Sequence, residues 1–185
     1  DQKSDPTLQE LVPTLAEMTQ KAIEHLSDSP NGFALQVEGG KVDWAAHAND
    51  IGALIFDQIA FDEAVKVAVD FAEKDGNTLV IITTDHGNSN PGVVYGKEAN
   101  ENFDRISKFK QTYEWILNGI SEDFTIEQVI ERIEYANGYR ISEEDAKEIY
   151  SYYHGLQKRE DGLYNYKKLP YKLLSEIQKK FTNVG

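Results

Sequence analysis

The chain has 185 residues, no cysteine, and 32 acidic against 19 basic side chains, for a formal net charge of −13. That length fits one domain, or one domain with an insert. The charge excludes nucleic acid and anionic membrane surfaces as partners, since both need basic surface, and the missing cysteines exclude a disulfide framework and thiolate metal sites.

Pro13 suits the first turn of a helix, so the first clear helix opens there. Leu15, Met18, Ala22, Ile23 and Leu26 follow at helical spacing and mark its core-facing side. Ser29-Pro30-Asn31-Gly32 is a turn, and the short apolar run at 33–37 after it reads as a buried strand. Glu38 stands at the carboxyl end of that strand, where open α/β sheets place their ligands, and Gly39-Gly40 lets the backbone turn sharply. Asp43 and His47 are four apart and share one face of a helical turn. Ile51, Leu54, Ile55 and Ile59, then Phe61, Val65, Ala68, Val69 and Ala72, outline one long helix or two, ending at Lys74-Asp75-Gly76.

Residues 78–84 form a β-branched apolar run, read as a second strand, with Asp85-His86 directly at its end. Strand, helix and strand make a right-handed βαβ crossover with parallel strands. A parallel pair is buried on both faces and flanked by further strands, so two strands alone make a poor sheet. Glu38, Asp43, His47, Asp85 and His86 are then expected together at the carboxyl ends of the strands. Taken singly, an Asp four before a His is a surface pair and an Asp-His after a strand is a cap. Together, each segment with a glycine beside it, they read as metal ligands. The mixture of carboxylates and imidazoles suits zinc, with a harder ion such as magnesium on the carboxylate-rich side.

From Lys97 the texture changes to charge and tyrosine with helix signals. Thr125 with Gln128 forms a capping box for a helix at 126–136, stopped by Asn137-Gly138. Ser142 opens another through Tyr153, and Pro170 a last one to Phe181. The expected division is 1–96, carrying the ligands, and 97–185, mainly helical. Tyr150, Tyr152, Tyr153, Tyr164, Tyr166 and Tyr171 read as packing residues for small helices. His25 and His154, each in helical sequence, read as surface or packing residues.

The wording of the two ligand segments resembles the alkaline phosphatase family. The stretch Val37-Glu38-Gly39-Gly40, then Asp43 and His47, then Phe61-Asp62-Glu63-Ala64-Val65, then Gly76-Asn77-Thr78 leading to Thr84-Asp85-His86, matches that family in order and spacing across about residues 8–95. The resemblance implies an α/β fold, here a partial parallel sheet of βαβ type with a helical insertion. It implies magnesium on Glu38, a first zinc on Asp43 and His47, and a second zinc on Asp85 and His86. Trp44 stands where the enterobacterial type has a lysine, as in other bacterial members with an aromatic there, and is substrate-proximal by the same resemblance. The helical half at 97–185 is similar to the cap or crown region near the active-site mouth.

The family's Asp-Ser-Ala nucleophile motif, its phosphate-clamping arginine and its late His-Thr motif have no match here, so no catalytic residue is assigned within the chain. Asp28-Ser29-Pro30 is a turn, and Ser89 lies on the Asn88-Ser89-Asn90-Pro91-Gly92 turn. The resemblance thus implies an internal-to-C-terminal piece of a phosphomonoester hydrolase whose serine lies outside it. Such a piece is expected to bind its metals incompletely and to be inactive alone. A phosphate substrate sits against a charge of −13 unless divalent cations reverse the sign locally. The family implies a periplasmic or secreted location, although no signal peptide opens the chain, and allows a homodimeric parent. Two alternatives remain at this point. Thr84-Asp85-His86-Gly87-Asn88 also resembles metal-dependent phosphomutases, whereas Glu38 to His47 does not. A non-catalytic metal-binding or interaction fragment is the other.

Overall fold

The computed structural model describes residues 12–88, 91–155 and 169–185. The helices among them are α1 Leu15–Leu26, α2 Gly40–Ala48, α3 Ile51–Asp75, α4 Ala99–Asp104, α5 Tyr113–Asn118, α6 Ile126–Asn137, α7 Glu143–Ser151 and α8 Pro170–Thr182, with a 3-10 turn at Arg105–Lys108 between α4 and α5. Ser89, Tyr164 and Tyr166 lie outside the described residues.

Local chemistry sets most of these boundaries. Thr14 caps α1 in a reciprocal box: its hydroxyl accepts from the Glu17 amide at 3.1 Å, and the Glu17 carboxylate accepts from the Thr14 amide at 2.7 Å. The helix signalled by Pro13 therefore starts one cap later. Thr125 and Gln128 build the same box on α6, and Ser142 caps α7 through the Asp145 amide at 3.1 Å. α6 ends where Gly138 takes φ 69°, a left-handed conformation that costs glycine nothing. The long apolar stretch after Asp50 is one helix of 25 residues, ended by Gly76 at φ 70°.

The expected parallel sheet does not form among the described residues. Residues 33–37 and 78–84 belong to no ladder, and the only bridge there pairs Val93 with Val184, antiparallel. The reason is visible in the second run, where Leu79 is 82% exposed, Ile81 76% and Ile82 59%. A β-branched segment gains from pleated pairing only when neighbouring strands supply the hydrogen bonds and cover both faces.

The chain divides into two compact units. The first comprises the described parts of Asp1–Trp44 and Leu54–Ser89. It holds α1, most of α3 and both unpaired runs, with Ile23 and Ala64 buried and Phe33 against Phe71 at 6.1 Å between ring centroids. Met18, expected on the core face of α1, is exposed instead. The second comprises Ala45–Ala53 and the described parts of Asn90–Gly185. Its core is dense. Ile116, Ile130, Ile133, Ile149 and Leu174 are fully buried, and Tyr139 stacks on Phe181 with centroids 4.2 Å apart.

Tyr153 and Tyr150 fasten this second unit. The Tyr153 hydroxyl donates to the Leu117 carbonyl at 2.7 Å, and the Tyr150 hydroxyl to the Glu122 carbonyl. Arg132 reaches across from α6, lies over the Trp115 ring at 3.7 Å, and donates to the carbonyls of Trp115 and Ile116 at the end of α5. His154 packs edge-on against Tyr150, and His25 ends α1 at the surface.

Candidate metal centre

Within the first unit, Asp43 comes from the first turn of α2, and Asp85 and His86 from the end of the second unpaired run. Each offers one ligand atom, and these atoms lie within 4.8 Å of one another. His86 Nε2 is 3.4 Å from Asp43 Oδ1 and 3.8 Å from Asp85 Oδ2. The turn is held locally: Asp85 Oδ1 accepts from the His86 amide at 2.9 Å, and the Thr84 hydroxyl donates to the His86 carbonyl at 2.6 Å. Adjacent residues thereby point two ligands at one place. Two carboxylates and an imidazole are a donor set that suits zinc, and ligands about 2.0 Å from a tetrahedral ion stand roughly 3.3 Å apart. The residues present fit a divalent ion.

Glu38 and His47 are not members of this group. Glu38 is exposed and lines an open depression of about 290 Å³ with Gly40, Lys41 and Trp44. His47 sits in the last turn of α2, within the stretch that belongs to the second unit. Gly39 ahead of α2 is pressed against Phe61 of α3, where an added Cβ would come within 2.7 Å of the ring. A side chain there would displace the Glu38 segment, which is why glycine stands at this position.

Lys41 was not singled out by sequence reasoning. Its ammonium lies 4.1 Å from the Trp44 ring centre, and Trp44 is 65% exposed. The spacing of three along a helix was the available signal. Asp57 of α3 is half-buried, and burial raises its carboxyl pKa while the Lys41 charge opposes the rise. The depression thus carries the Lys41 ammonium, held on an aromatic face, together with the Glu38 carboxylate.

Comparisons with known proteins point to one family. The profile of the family described as alkaline phosphatase matches residues 1–161. Alkaline phosphatase 4 of Bacillus subtilis is 37% identical over 74% of this chain and 29% of its own length. The alkaline phosphatase of Escherichia fergusonii is 53% identical over 46% of this chain and 18% of its own. The crystal structure of Thermus thermophilus alkaline phosphatase superposes with a TM-score of 0.78 at 27% identity, covering 94% of this chain and 38% of that one. An acidic and imidazole cluster on a fold shared with these proteins defines a chain with a possible metal site. It belongs to the alkaline phosphatase family. It spans less than a third of the length of the curated relatives named here.

Proposed function

We propose that this chain is the metal-binding part of a phosphomonoester hydrolase. The observation that carries the reading is the convergence of Asp43, Asp85 and His86 to within 4.8 Å, in a chain whose family profile covers residues 1–161. Asp85 and His86 would hold one zinc, Asp43 with His47 the other, and Glu38 magnesium. When bound, such ions supply the positive charge that neutralises a phosphoryl group in flight and clamps its attacking and leaving oxygens. That charge answers the net −13 of the chain, which by itself repels a phosphate. Asp43 and Asp85 keep the centre anionic enough to attract divalent ions, the Asp85–His86 turn fixes the imidazole, and Trp44 with Lys41 borders the depression where substrate would approach.

Covalent phosphoryl transfer needs an activated nucleophile, and by this reading the serine comes from outside the chain. The exposed runs at 33–37 and 78–84 support the same view. They carry the composition of buried parallel strands with no partners among the described residues, so further strands would complete a parallel sheet around them. The location expected of the bacterial family is periplasmic or secreted. No helix of the described residues is long and apolar enough to cross a membrane.

Zinc titration by calorimetry tests the reading. Binding to the wild-type chain that weakens at least tenfold in His86→Ala and Asp43→Asn supports it, while zinc uptake indifferent to both substitutions refutes it.

A further inference from the structure

The helix that carries Asp43 and His47 ends in a turn that is gripped from several sides. Asn49 takes φ 52°, a left-handed conformation that asparagine tolerates. The amides of Asn49 and Asp50 close the end of α2 on the carbonyls of Ala46 and Ala45, each at 3.0 Å. Asp50 is 3% exposed. One of its oxygens accepts from the Ala53 amide at 3.1 Å, which caps α3. The other accepts from the Tyr113 amide at 2.7 Å, at the first residue of α5, 63 positions away.

Capping alone does not call for burial, because exposed Asp and Ser cap helices equally well. A buried carboxylate is costly unless amides or cations satisfy it, so its burial here marks the bond to α5 as its distinguishing role. Two more elements close on the same turn. Gln178 of α8 donates to the Asn49 carbonyl at 3.4 Å, and Phe109 packs so tightly on Gly52 that an added Cβ would lie 2.5 Å from its ring. All of these residues belong to the second unit, as does His47, three positions before Asp50.

We infer that Asp50 is a positioning residue for His47: its carboxylate locks the end of α2 to the helical unit and so fixes the direction in which the imidazole is presented. The inference rests on the reading of His47 as a metal ligand.

The test compares the wild-type chain with Asp50→Asn, which keeps the shape but replaces one accepting oxygen with a donor, and with Ile133→Ala, which loosens the core of the same unit elsewhere. Two quantities are read: amide hydrogen exchange across residues 45–50, and the zinc concentration that half-shifts the His47 ring resonances in NMR spectra. Asp50→Asn should speed exchange of the Asn49 and Asp50-position amides at least tenfold and raise the zinc requirement at least tenfold. Ile133→Ala should change neither more than about twofold at a temperature well below its melting point. Equal effects in both variants would reduce Asp50 to a stability residue and overturn the inference. Faster exchange with an unchanged zinc requirement would also overturn it. If zinc shifts no His47 resonance in the wild type, the metal reading of His47 is what fails, and unaccelerated exchange in Asp50→Asn would separately sink the clamp.

Discussion

Single residues show how burial is used in the helical unit. Burial raises the Tyr153 phenol to about 12, with the neighbouring Tyr152 adding to the rise and Arg132 opposing it, and it raises Tyr139 and Tyr113 as well. A raised tyrosine pKa means that the folded chain keeps its proton where the unfolded chain has lost it. Its contribution is complete below about pH 10, the unfolded value, and is lost as pH climbs from there toward 12. Tyr153→Phe should therefore melt lower at neutral pH, by about 1 kcal/mol for the lost bond to Leu117, yet decline less steeply above pH 10. Thermal melts at pH 8, 10 and 11 check both, and an unchanged alkaline slope would show that Tyr153 does not contribute to it. Gly119 illustrates a steric requirement: a Cβ there would fall 1.8 Å from the Arg132 guanidinium. Gly119→Ala should evict Arg132 from the carbonyls ending α5 and cost about 2 kcal/mol in urea unfolding; Arg132→Met, lacking the same bonds, should show a similar loss.

At the level of elements, reciprocal caps set helix starts and left-handed residues set their ends. Thr125→Ala removes the oxygen that accepts from the Gln128 amide at 3.2 Å, and should lower stability by about 1 kcal/mol. Chemical denaturation measures it; a change below about 0.3 kcal/mol would mean that core burial alone holds α6. The capping box and the Asn137-Gly138 stop were legible in the sequence because both depend on residues within four positions. The short α4 and α5 were not, because neither carries a long apolar period. α5 has a Thr112 cap and little else of its own, and is held by Arg132 and by Asp50 from distant parts of the chain.

For the molecule as a whole, the two units differ in how far they satisfy themselves. The helical unit fully buries Ile116, Ile130, Ile133, Ile149 and Leu174, whereas the first leaves Leu79, Ile81 and Ile82 in solvent. The proposed division of labour predicts that the 185-residue chain with zinc and magnesium turns over p-nitrophenyl phosphate no faster than the metal ions alone. A longer chain carrying the family's serine segment should exceed it by several orders of magnitude. Comparable turnover by the two would overturn the incomplete-site argument.

The sequence by itself determined what short-range chemistry controls: the caps at Thr125 and Ser142, helical structure from Ile51 to Asp75, the placing of Asp43 and His47 on a helical turn and of Asp85-His86 at the end of an apolar run, and the family wording that links them. Whether the ligands meet was another matter, because Asp43 and His86 approach across about forty residues and only packing can close that gap. Tertiary structure alone decided that Glu38 borders a depression, that residues 45–53 join the helical unit, and that Asp50 is anchored by Tyr113. It also decided against a sheet among the described residues. Apolar alternation and β-branching state what a strand would bury, but a ladder exists only when another backbone lies 4.8 Å away to accept its hydrogen bonds.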